Sequence, residues 1–235
     1  MGRPLNHPES ASPLSLRSIW LLSLCLLTVS CGGMSCLNGV NNGQESLVIR
    51  DVATVILTPE SEDRDEVKAV LDEAFATFLQ QTGIRFSIKD WRTIYWRGSS
   101  RTDVLQQVSD EMKQYGQSYD VAIAIYNMNL FQQIAFNTLG GWMGVVDDVY
   151  RRFMVLRRSR NLHVIEHELG HLFLFETTHA GGAMSAFTVC LIGDHLCTRN
   201  SVCFNEAERQ GIIRNKWRNF SKKLELSERA DIIHD

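Results

Sequence analysis

The chain has 235 residues, 44% of them hydrophobic and 22% charged, with a formal net charge of −3. That is enough for one domain with a sizeable core plus a tail. The charge balance excludes the broadly basic surface that draws nucleic acid or an anionic membrane face, so no nucleic-acid partner is expected. No internal repeat or low-complexity block is present.

The first informative stretch is "SIWLLSLCLLTVS", residues 18–30, an uncharged apolar run preceded by Arg3 and Arg17. As a helix it would rise only about 20 Å, short for a bilayer, so residues 1–30 read as a signal peptide. The run ends in Ser30-Cys31-Gly32-Gly33, which resembles a bacterial lipobox, although Thr28 stands where a leucine is usual. The expectation is an exported protein, held on a membrane through a lipid on Cys31, with ordinary cleavage near Ser30 or an uncleaved anchor as the alternatives. Residues 31–49, rich in Gly, Asn and Ser, read as a flexible tether, leaving 50–235 for the domain. Export also changes the reading of Cys36, Cys190, Cys197 and Cys203, which favour disulfides over structural zinc, with three pairings open.

Within the domain, "ATVILT" (53–58) is a β-rich apolar run. Residues 62–83 place Val67, Val70, Leu71, Ala74, Phe75 and Phe78 at helical spacing and stop at Gly83. Residues 84–96 have strand composition, 103–116 form a second amphipathic helix, and "YDVAIAIYNM" (119–128) is a strand buried on both faces. "LGGWMGVVDDVYRRFMVLR" (139–157) predicts one or two short strands around a turn at Asp147-Asp148. Arg151, Arg152, Arg157, Arg158 and Arg160 form a basic run, read as the solvated end of a strand and its loop. Residues 161–175 predict a helix capped by Ser159 or Asn161, and 204–224 a closing helix with Asn205 near its start. The order β-α-β-α-β, then strand, helix, loop and helix, gives a single α/β or α+β domain.

The chemistry concentrates in "HVIEHELGHLFLFETTHAGGAMS", residues 163–185. His167-Glu168-Leu169-Gly170-His171 is an HExxH motif. Residues four apart on a helix differ by about 40° and 6 Å, so both imidazoles face one point. That spacing suits one zinc ion about 2.0–2.1 Å from each nitrogen, and Glu168 stands where a general base for an attacking water is needed. An inverted motif overlaps it, His163-Val164-Ile165-Glu166-His167, spelling HxxEH. His163 and His171 lie about 12 Å apart along a straight helix and cannot share an ion, so His167 pairs with one or the other. Gly170, His179 and Met184 favour His171. In that reading His163 packs behind the site, and Glu166 is a surface charge or a support for a ligand.

"HELGHLF…H…GGAMS" resembles the metzincin clan of zinc peptidases, above all its matrixin-like and archaemetzincin-like branches, in which HExxHxxGxxH precedes a methionine turn under the metal. The resemblance spans roughly residues 50–224; the motif and Met184 are its specific part. It implies a zincin-like domain: a mixed twisted sheet with an edge strand over the cleft, an active-site helix, a Met-turn and a C-terminal helix. It further implies one catalytic Zn²⁺ and hydrolysis of protein or peptide substrates, bound along Gly141, Trp142, Met143, Gly144 and Val145 as an added strand.

The departures are specific. Leu174 stands where the family has glycine, and Thr177 where it has the third histidine. His179 comes two positions late; two residues add about 7 Å of reach, enough for a different turn to return it to the metal. His179 is therefore the candidate third ligand, with Glu176, Asp194, His195 or water as alternatives. Without glycine at 174 the helix is expected to run on, with Gly181 and Gly182 making the bend. The altered spacing also motivates another reading, a catalytically silent zinc-binding surface lipoprotein that engages a protein partner. Oligomeric state and cleavage preference are not legible.

Overall fold

The computed structural model describes residues 48–128, 142–157, 161–175, 182–184 and 202–225. The chain divides into two compact units, 1–35 and 36–235, and every described residue belongs to the second. Cys31, Cys36, Gly141, His179, Cys190 and Cys197, together with the alternatives Glu176, Asp194 and His195, lie outside the described residues.

The domain is mixed α/β, with a five-stranded sheet ordered β2-β1-β3-β5-β4 and four α-helices among the described residues. β1 (Arg50–Thr58) pairs in parallel with both β2 (Ile84–Thr93) and β3 (Val121–Ile125), and β3 in parallel with β5 (Phe153–Leu156). Flanked on both sides, β1 and β3 are buried on both faces, which is why they read as near-continuous β-branched runs. β4 (Gly144–Val146) closes the sheet antiparallel to β5.

Between β1 and β2 runs α1 (Arg64–Thr82). Asp63 accepts from the Asp65 and Glu66 amides at its start, and Gly83, at φ 69°, returns its N–H to Leu79 O at its end. Only a residue without a Cβ adopts that left-handed stop cheaply. α2 (Arg101–Lys113), capped by Ser100, returns the chain across β1 to β3. A right-handed crossover in each direction puts these two helices on opposite faces. The two cores agree: Val67, Leu71 and Phe78 of α1 pack with Val52 and Ile56, while Val104, Val108 and Met112 of α2 pack with Val55 and Leu57.

The motif helix α3 (Leu162–His171), capped by Asn161, lies on the α1 face, as does α4 (Glu206–Arg214). Both are shorter than their sequence patterns predict. α3 stops at His171, four residues early, and α4 at Arg214, ten residues early. The expectation that α3 would run on for want of a glycine is thus reversed. The carbonyls at and just beyond its end are taken by side chains from afar: Arg151 donates to His171 O (2.9 Å) and to Leu174 O, Arg218 to Leu172 O (2.6 Å), and Asn215 to Phe173 O (2.7 Å). These donors fill the role of a C-terminal glycine. α4 ends because Asn215, Lys216 and Arg218 are drawn inward to carbonyls instead of facing solvent. Lys216 reaches Thr82 O at 3.2 Å and also bonds Val48 O.

The reading of the basic run is corrected by the same contacts at Arg151, Arg152 and Arg157, while Arg158 and Arg160 lie outside the described residues. Arg151 is 3% exposed, and Arg152 and Arg157 are half-buried. Arg151 has φ 47° because the turn between β4 and β5 winds around Asp147. The Asp147 carboxylate accepts the amides of Tyr150, Arg152 and Phe153 at 2.6–2.7 Å and that of Arg151 at 3.1 Å. The turn forecast at Asp147-Asp148 is therefore present, and it points an arginine into the protein.

Candidate active site

On α3 the rings that meet are those of His167 and His171. Their Nε2 atoms are 3.0 Å apart and their centroids 4.6 Å, in an edge-to-face arrangement. His163 lies 6.2 Å from His167, centroid to centroid, and is buried. The geometry thus gathers the forward motif's pair more closely than the inverted one's. His167 Nδ1 is 3.1 Å from the carbonyl oxygen of Ala183, in the short 3₁₀ turn Gly182–Met184. A carbonyl only accepts, so Nδ1 donates, and the lone pair of that ring is left on Nε2, facing His171.

These rings fit a zinc ion. Two nitrogens bound tetrahedrally at about 2.05 Å would be roughly 3.3 Å apart, a few tenths of an ångström beyond the observed separation. The Nδ1–H···O=C bond on His167 is the outer support that metal-ligating histidines ordinarily have. Among the described residues no group of three His, Cys, Asp or Glu side chains is arranged to hold a metal. His179 and its alternatives lie outside them.

Glu168 sits on the face of α3 toward β4 and is 6% exposed. A Cβ built on Gly144 would overlap Cγ, Cδ and Oε1 of Glu168, so the edge strand lies directly against the candidate base, and only glycine allows it. Burial pushes the Glu168 carboxyl up to about 8, opposed by the charge of Arg101. A cation between the two histidines would favour the carboxylate and draw that value down. Glu166 points elsewhere. It is fully buried rather than a surface charge, both oxygens lack a hydrogen bond, and burial holds its carboxyl well above the usual range.

Gly170, inside the motif, has a packing reason. A Cβ there would come within 2.5 Å of Met184 Sδ and 2.9 Å of Phe204 Cε1. Met184 therefore packs against α3 at Gly170, 2% exposed. Gly144 and Val145 belong to β4, the outermost strand on that side among the described residues, and Trp142 and Met143 lead into it. Trp142 is clamped by Arg157, whose guanidinium lies 4.2 Å from its ring, and Arg157 N–H donates to Met143 O at 2.8 Å.

Two contributors escaped the sequence reading: the Ala183 carbonyl, and Glu208 beneath it. The second had a visible signal, because Asn205-Glu206-Ala207-Glu208 has the spacing of a capping box.

The fold is similar to that of an archaemetzincin from Methanopyrus kandleri, at a TM-score of 0.51 and 16% identity, over 72% of this chain and 97% of that one. A chain from the structure of a chaperone–substrate complex aligns at a TM-score of 0.47 and 10% identity, over 72% of this chain and 34% of that one. No family model and no curated protein matches the sequence.

Proposed function

We propose that this protein is a zinc-dependent endopeptidase. His167 and His171 would hold the ion with His179, and Glu168 would serve as general base. The observation that carries the reading is the pair of Nε2 atoms facing each other 3.0 Å apart, one ring buttressed by a backbone carbonyl, with a buried carboxylate on the next residue. The archaemetzincin-like fold supports the same class.

Bound there, the ion would supply Lewis acidity to a water and to the scissile carbonyl. Glu168 would take the proton of the attacking water and hand it to the leaving amine. Its burial against Gly144 keeps bulk water from competing for that proton, and the same contact brings the base to β4, the outermost strand on that side among the described residues. An extended peptide added to that edge would pass within reach of the carboxylate. A silent binder has no use for a base held in this way. Export through residues 1–30 and a lipid on Cys31 belong to the same proposal, as does zinc as the only ion required.

The test is cleavage of casein or a peptide library by the purified full chain, with and without chelator, alongside zinc stoichiometry. Glu168→Gln should lower the rate by about 10²–10⁴-fold while retaining zinc, and Glu166→Gln should remain active. Stoichiometric zinc with no chelator-sensitive cleavage by the wild type would instead identify a binder. Loss of activity in Glu166→Gln alone would reverse the motif's direction.

A further inference from the structure

We infer that Glu208 is a positioning residue of this site: acting through the Ala183–Met184 peptide, it fixes the Nδ1–H form of His167 and the aim of that ring. Only the zinc readout below rests on the proposed function. An ordinary capping box leaves its glutamate in water, but Glu208 is 8% exposed. Its Oε2 accepts the Asn205 amide at 2.9 Å, and its own amide donates to Asn205 Oδ1 at 3.0 Å. The carboxylate lies against the 182–184 turn so closely that a Cβ on Gly182 would overlap Oε2 and stand 2.8 Å from Asn205 N. Gly182 also has φ +60°, a conformation that favours glycine, so both the shape and the spacing of the turn depend on it.

Burial pushes the Glu208 carboxyl up, and the amides of Asn205, Met184 and Ala183 pull it back. Oε1 is buried and makes no close hydrogen bond, so the Met184 and Ala183 amides act on the carboxylate mainly as dipoles. The planarity of the peptide then matters. The N–H of Met184 and the C=O of Ala183 belong to one trans peptide group and point in opposite directions. The Ala183 carbonyl of this turn faces His167 Nδ1, 3.1 Å away, and the amides that pull the Glu208 carboxyl back belong to the same turn. The path runs from a carboxylate on α4, through the turn 182–184 packed on it, to the ring on α3.

The experiment uses the full chain. Ring ¹⁵N spectra of the metal-free protein, with His167 assigned by its loss in His167→Asn, report the tautomer. Competition with a chromophoric chelator reports zinc affinity. In the wild type His167 should be in the Nδ1–H form. In Glu208→Gln it should become a mixture, and the zinc dissociation constant should rise by about tenfold, the usual effect of losing an outer support. Asn205→Ala weakens the same helix end but keeps Glu208 and the backbone amide that bonds it, so tautomer and zinc affinity should stay at wild-type values. A wild-type tautomer and affinity in Glu208→Gln would overturn the inference. So would equal shifts in both variants, which would reduce Glu208 to a helix cap. A wild type that takes up no zinc would sink the proposed function, while the tautomer comparison still decides the role of Glu208.

Discussion

Residues 50–125 and residues 142–225 build the same sheet by different means. In the first segment each helix is closed by its own neighbours: Asp63 and Gly83 for α1, Ser100 for α2. Its strands are fixed by apolar runs that are buried on both faces. In the second segment a single aspartate winds the turn before β5, and two arginines and an asparagine take the carbonyls at the end of α3. A lysine is buried against the chain's entry to β1. The donors lie 20, 46 and 42 residues from the carbonyls they satisfy. Local rules suffice where only a scaffold is needed. Around the histidines the backbone must stop, turn and return at chosen places, and polar side chains from distant positions set them.

Two substitutions should separate these modes. Leu71→Ala removes a fully buried side chain from the α1 core and should lower stability by about 3–4 kcal/mol. Urea titration measures this, and zinc affinity per folded molecule should be unchanged. Arg151→Met keeps the bulk but orphans the carbonyls of His171 and Leu174, which should cost about 2–3 kcal/mol. Here zinc affinity should fall with stability, since the end of α3 carries His171 and leads toward His179. Equal zinc affinity in both variants would mean that the arginine only stabilises the fold and does not shape the site.

The same division explains what was legible in the sequence. β1, α1, α2 and β3 were visible because helical and two-sided burial periodicities have the range of the windows used to read them. His167, Glu168 and His171 were visible because two rings that meet on one face of a helix need a fixed spacing. The early ends of α3 and α4 were not, because nothing near Leu172 says that a cation arrives from Arg151 or Arg218, and nothing near Asn215 says that it and Lys216 reach carbonyls far along the chain. For that reason the arginine run looked like a solvated loop. Glu166 misled for a related reason: a carboxyl without a partner is seldom buried, so position alone suggested the surface.

That unpartnered carboxyl gives a smaller effect of opposite sign. Glu166 is fully buried with neither oxygen hydrogen-bonded, a desolvation penalty that an apolar side chain avoids. Glu166→Leu should raise stability by about 1 kcal/mol, measured by the same urea titration, without loss of zinc. A fall in zinc affinity would show instead that the buried carboxyl supports the neighbouring ligand. The second segment would then contain one more long-range polar support.

Lys216 gives the smallest and most specific test, because its effect depends on pH. Burial lowers its pKa below the ordinary 10.5, while its ammonium bonds Thr82 O and Val48 O. In the window between the folded value and 10.5 the unfolded chain binds more protons than the folded one, so stability rises with pH there. Well below that window the lysine is charged in both states and the desolvation penalty is at its full size. The stability of the wild type relative to Lys216→Met should therefore be lowest at neutral pH and climb as the solution becomes alkaline. Thermal melts of both proteins at matched pH and salt measure the difference. A difference that stays flat would mean that the carbonyls of Thr82 and Val48 compensate the buried charge in full. One that falls with pH would mean that the ammonium is more stable folded than unfolded, making the chain's entry to β1 an ion-binding contact in its own right.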